Sequence, residues 1–173
     1  MNNRKDNNST NKLTVVLFAI YLLALFWILL FKLGVQFTYM GNRSVNLIPF
    51  SDGKIDVREI ILNVVICVPL GIYAGVLFKR RTFGTKLLFF LLISSMFEVL
   101  QFILRVGAFD ITDVVTNTLG GIGGLMILKA IEKLFKNSAK AQKFINIIAA
   151  IGTVLMISLL LLLKMNKLPV RYQ

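Results

Sequence analysis

The side chains able to do chemistry in this 173-residue chain are few, and they gather in one stretch. Ser94, Glu98, Gln101 and Arg105 recur at i, i+4, i+7 and i+11, a spacing that puts all four on one face of a helix. After a short gap Asp110, Asp113 and Asn117 follow at i, i+3 and i+7, again on one face. Two acids and an amide therefore approach a third acid, an amide and a guanidinium across a tight hairpin. Carboxylates so placed can serve as general acid and base, hold a divalent cation through oxygen, or hydrogen-bond a polar head group. The chain has no histidine, which excludes imidazole bases, triads built on one and imidazole metal ligands. Its single cysteine, Cys67, excludes an intrachain disulfide and a cysteine-rich zinc site; inside an apolar run it reads as a small buried hydrophobe.

The elements that must position these residues are membrane helices. Hydrophobic residues make up 57% of the chain, charged ones only 16%, and the mean hydropathy is +0.78, values far from those of a soluble domain of this length. Five apolar runs stand out, at 13–31, 60–78, 87–104, 111–128 and 144–163. The first is free of charge, and at about 1.5 Å per residue it matches a hydrocarbon core of about 30 Å. It exceeds the apolar stretch of a signal peptide and lacks a small-residue cleavage site, so a retained helix is expected. The fourth run is less hydrophobic and carries Asp113, Asn117 and four glycines. The expectation is an all-α, polytopic bundle of five transmembrane helices over 13–163, flanked by a cytoplasmic tail at 1–12 and a second tail at 164–173.

A net charge of +12 would ordinarily raise nucleic acid as a partner. Here the bases sit between the apolar runs, where they suit anionic lipid heads, and no basic patch with interleaved aromatics is present. Membrane lipids are the expected partners, nucleic acid is not, and no cofactor or metal is expected. Placing the N-terminus in the cytoplasm puts twelve of the twenty lysines and arginines inside, with four in the 79–86 hairpin against Arg105 alone in the next. The polar cluster then lies at the outer end of the bundle.

An ionised side chain at the membrane centre costs about 2.5–3.5 kcal/mol on insertion scales. Glu98 must therefore face protein or water, pair with a cation, or carry a proton. Arg105, two turns on, reaches it only through an intermediate such as Gln101. Asp110 has two readings, a site acid or the N-cap of the fourth helix, and Asp113 also suits the positive helix start. Gly120 with Gly124 and Gly71 with Gly75 form G-x-x-x-G pairs, which predict close packing of the second and fourth helices. Pro69 is expected to kink the second helix, and Asn63 either joins the cluster or bonds to backbone near the helix start. Before that helix, Asn46-Leu47-Ile48-Pro49-Phe50 is an apolar loop followed by Asp52, Asp56 and Glu59. Such a loop tends to dip into the interface or cap the bundle as a lid.

Taken together these residues resemble the VanZ family of bacterial membrane proteins. The resemblance rests on Asn46-Leu47-Ile48-Pro49-Phe50, on Asn63 with Pro69-Leu70-Gly71, on Glu98 with Gln101 and Arg105, and on Asp110-x-x-Asp113-x-x-x-Asn117 before Gly120. It covers about Asn46 to Leu128. What it implies is a multi-pass protein of the Gram-positive cell membrane and, for some members, reduced susceptibility to teicoplanin-type lipoglycopeptides; it implies no particular reaction. The candidate binding residues are Asn46, Pro49, Phe50, Asn63, Glu98, Gln101, Arg105, Asp110, Asp113 and Asn117. The leading expectation is a non-catalytic envelope protein whose outer polar site recognises a lipid-linked wall component or a lipidated antibiotic. One alternative is an enzyme acting on a lipid head group, with Glu98, Asp110 or Asp113 as acid or base. Another is a small transporter subunit, disfavoured because the inner halves of the helices read as mostly apolar; the last is a scaffold in which the cluster only ties helices together.

Overall fold

The computed structural model of the chain describes residues 2–31, 44–50 and 57–164. Among these residues it is an all-α membrane bundle of five helices: α1 (Asn2–Phe31), α2 (Val57–Leu77), α3 (Phe83–Leu104), α4 (Ile111–Phe135) and α5 (Ser138–Lys164). Two short strands, β1 (Val45–Asn46) and β2 (Phe109–Asp110), pair in parallel just before α4. The loop acids Asp52 and Asp56 and the tail beyond Lys164 lie outside the described residues.

Every helix runs past its apolar window at one end or both, although α2 stops one residue short at its C-terminal end. The cause is that hydropathy registers the hydrocarbon layer, whereas backbone hydrogen bonds continue into the interface until a cap ends them. α3 begins at Phe83 rather than 87 because Thr82 caps it, its hydroxyl accepting the Thr85 N–H at 3.3 Å. α5 begins at Ser138 rather than 144 because Asn137 Oδ1 accepts the N–H groups of Ala139 and Lys140. α4 runs on to Phe135, carrying Lys129, Glu132 and Lys133 past the predicted end, and α1 starts at Asn2, inside the expected tail. Pro69 lies within α2, which continues to Leu77.

The four spans at 12–29, 57–77, 83–104 and 111–135 are long and apolar enough to cross a membrane. Of these α4 is the most enclosed, with half of its window buried against 28–39% in the others. That explains its weaker hydropathy. A helix surrounded by protein can carry threonine, asparagine and glycine where lipid-facing helices need Leu92, Val99 or Ile103.

α4 packs chiefly on α2, and the contact is a glycine seam. A Cβ at Gly124 would collide with the Val68 carbonyl oxygen, and one at Gly71 with the Gly121 carbonyl oxygen, so the two backbones touch with no room for a methyl group. Along the seam the core forms three layers. Leu25, Leu29, Cys67 and Phe97 pack nearest Glu98; Leu70, Ala74, Phe90 and Leu125 fill the middle; Val76, Leu128 and Ile145 close the far end.

Within the mostly apolar far end lies a polar cluster that the sequence reading did not find. Thr14 donates to Asn146 Oδ1 at 3.0 Å and accepts from Gln142 Nε2 at 2.9 Å, and all three side chains are buried between α1 and α5. Thr14 sits in an otherwise apolar run, while Gln142 and Asn146 flank the predicted start of the last span at Phe144. Only their meeting makes a cluster.

Candidate ligand-binding cavity

The site is assembled where four helix ends meet: the C-terminal ends of α1 and α3 and the N-terminal ends of α2 and α4. Between α3 and α4 the chain turns within a few residues. Arg105 ends α3 in a left-handed conformation at φ 58°, and its backbone N–H closes onto the Gln101 and Phe102 carbonyls. The chain then extends through β2 into α4.

Asp110 is the N-cap of α4. Its Oδ1 accepts the Thr112 N–H at 2.7 Å and its Oδ2 accepts Asn46 Nδ2 at 3.3 Å, so both oxygens serve the architecture. The Asp110 N–H in turn donates to Glu98 Oε2 at 3.0 Å. Glu98 is 1% exposed, and this bond pins the start of α4 to the last turns of α3. One of the two sequence readings of Asp110 thus describes its place in the structure.

The 44–50 loop is fastened over this junction by backbone and side chain together. β1 pairs with β2 with Asn46 opposite Asp110, the Phe109 N–H reaches the Ser44 carbonyl at 3.1 Å, and the Phe50 N–H reaches Thr112 Oγ1 at 3.1 Å. Asn46 Oδ1 also accepts the Ile48 N–H, closing a turn. Thus the loop caps the start of α4, as a lid would. Its apolar side chains, however, point away: Leu47 and Ile48 are 66% and 68% exposed, and Pro49 and Phe50 are exposed as well.

Beneath the junction lies a cavity of about 370 Å³, in the size range of ligand sites. Its polar wall is made by Glu98 and Gln101 of α3, Asp113 and Asn117 of α4, and Arg58, Glu59 and Asn63 of α2. Asn63 Nδ2 donates to Asp113 Oδ1 at 2.7 Å, and Cys67 Sγ donates to Asn117 Oδ1 at 3.4 Å. Gln101 Nε2 donates to the Leu29 carbonyl at 2.5 Å, which ties α1 to the site, while its Oε1 is buried without a partner among the described residues. Among those residues, no three of Asp, Glu, Cys or His stand close enough to hold a metal ion.

Of the ten candidate binding residues, the structure brings five to the cavity wall: Asn63, Glu98, Gln101, Asp113 and Asn117. Asn46 and Asp110 form the lattice above it. Pro49, Phe50 and Arg105 are exposed and do not line it. Arg105 faces away because α3 ends at Leu104 and the left-handed cap swings the next residue off the Glu98 stripe. The cation at the wall is Arg58 instead, beside Glu59. For Glu59 a signal was present, since it stands four residues before Asn63 on α2, but both charges read as loop residues.

Comparison with known proteins gives one consistent result. Residues 18–136 match the family described as VanZ/LLP1. Protein VanZ of Enterococcus faecium is 41% identical over 147 residues, covering 83% of this chain and 88% of that protein. No solved structure matches.

Proposed function

Since this chain belongs to the VanZ/LLP1 family, which is linked to teicoplanin resistance, we propose that it is a multi-pass protein of the bacterial cell membrane that lowers susceptibility to teicoplanin-type lipoglycopeptides. Its Glu98 cavity binds the polar head of a lipid-linked wall component or of the lipidated antibiotic itself. The observation that carries this is the pairing of a partly open cavity, lined by carboxylates, amides and a guanidinium, with an exposed apolar loop tip fastened to the same α4 start that Glu98 holds. The cavity supplies hydrogen bonds of both kinds, and the open Gln101 acceptor favours a ligand bearing hydroxyl or amide donors. Leu47, Ile48 and Phe50 anchor that rim at the lipid interface, where such a ligand would reside.

Expression of the wild type and of Glu98→Gln, Asp113→Asn and Arg105→Ala at matched membrane levels in a susceptible Gram-positive host tests the reading. Teicoplanin protection should disappear in the first two and persist in Arg105→Ala, which lies off the cavity. Binding of labelled teicoplanin and of a labelled lipid-linked precursor to the purified protein separates the two ligands. Full protection in both cavity variants would overturn the assignment.

A further inference from the structure

At the opposite end of the bundle, α2 and α5 line two cavities on adjoining turns, a crevice in two parts, the inner one also walled by Tyr21 of α1 and Ile131 of α4. The outer one, of about 600 Å³, is walled by Lys79, Arg80 and Arg81 from the turn after α2 and by Ser138 and Gln142 from the first turns of α5. Its floor is Val76, Leu77, Phe78 and Ala139. The inner one, of about 330 Å³, runs deeper along the same two helices, between Pro69, Ile72 and Tyr73 on one side and Ile145, Ile148 and Gly152 on the other. On α5 the lining residues 138, 142, 145, 149 and 152 recur at intervals of three and four, so a single helix face lines both.

We infer that this crevice is a second, independent binding site, and that its occupant is an anionic phospholipid with its phosphate at the basic mouth and an acyl chain in the apolar depth. Charge supports the head group. Glu132 engages Lys79 at 3.9 Å, while Arg80 and Arg81 are exposed at the mouth on a rigid turn whose Arg81 N–H bonds the Phe78 carbonyl at 3.0 Å. Two guanidiniums held a residue apart can fork onto phosphate oxygens, and the Ser138 hydroxyl lies on the facing wall. The shape supports the chain, because the lining changes from cationic at the mouth to mainly apolar in the depth, where its polar groups are those of Tyr21, Tyr73 and Thr153. Neither feature belongs to the Glu98 cavity, so failure of one assignment leaves the other standing.

Native mass spectrometry of the full-length protein in detergent tests it, with phosphatidylglycerol, phosphatidylcholine and inorganic phosphate as probes. Arg80→Gln/Arg81→Gln should weaken phosphatidylglycerol binding by roughly thirtyfold, the effect of two basic contacts at a membrane surface, with phosphatidylcholine unaffected. Gly152 lines the inner groove and a Cβ there meets nothing within 4 Å, so Gly152→Phe adds a ring at the groove wall and should weaken phosphatidylglycerol by about tenfold, equivalent to displacing about two methylenes. Unchanged phosphatidylglycerol binding in either variant would overturn the site. So would complete displacement of the lipid by inorganic phosphate, which would make the mouth a phosphate site without a lipid groove.

Discussion

Glu98 has one geometric duty that its charge does not require: it accepts the Asp110 N–H, and an amide oxygen could do the same. The two roles can therefore be separated. Glu98→Ala leaves a partly buried N–H unpaired and should cost about 1–3 kcal/mol in denaturant titrations of the purified protein. Glu98→Gln keeps an acceptor at the same place and should cost clearly less, while removing the charge from the cavity. A larger loss for the glutamine variant would mean that ionic contacts, not the backbone bond, hold α3 to α4. Residue types and spacings pointed to Glu98, Gln101, Asp113, Asn117 and Asn63, which line one cavity, because buried polar groups on one helix face have few places to go. Arg58 was hidden by its position at the edge of an apolar run, where a base usually marks a loop. Arg105 misled because its spacing extends the Glu98 stripe across a boundary that only the left-handed cap creates.

At the scale of elements, the seam between α2 and α4 is the strongest constraint. Gly124→Ala would push a methyl group into the Val68 carbonyl and should destabilise the protein by about 1–3 kcal/mol or more. Its neighbour is the internal control: a Cβ at Gly123 meets nothing within 4 Å, so Gly123→Ala should be close to neutral in the same thermal or denaturant assay. Comparable losses in both would show that the contact with the Val68 carbonyl does not set the cost, since helix propensity favours alanine over glycine at either position. The pairing of α2 with α4 was legible because glycines spaced by four recur on both. The extent of the helices was not. Thr82 and Asn137 end polar turns that hydropathy assigns to loops, and only the cap hydrogen bonds locate the true starts.

For the molecule as a whole, polar ties stand at both ends, the Glu98 junction at one and the Thr14–Gln142–Asn146 clasp at the other. Thr14→Val removes both bonds of the clasp, and with interhelical bonds in membranes averaging about 0.6 kcal/mol it should cost about 1 kcal/mol, read as earlier release of α5 in limited proteolysis. Orientation is testable by the same logic of ends. Cys67 is 1% exposed and should resist membrane-impermeant maleimide in the native state. Cysteines introduced as Ile48→Cys and Arg81→Cys should label from opposite sides. With the N-terminus inside, Ile48→Cys reacts in intact cells and Arg81→Cys only after permeabilisation. Labelling of both from one side would contradict the up-and-down arrangement.

The methyl-free contact between α2 and α4 also limits how the bundle moves. Backbones meshed so tightly cannot slip by a fraction of a turn without collision, so this pair behaves as a single stiff keel. Entry to the Glu98 cavity then has to come from the partners around it. α1 is tied there through the bonds from Gln101 to the Leu29 carbonyl and from the Tyr21 hydroxyl to the Ile66 carbonyl, so any opening on that side of the hull has to break these two bonds first.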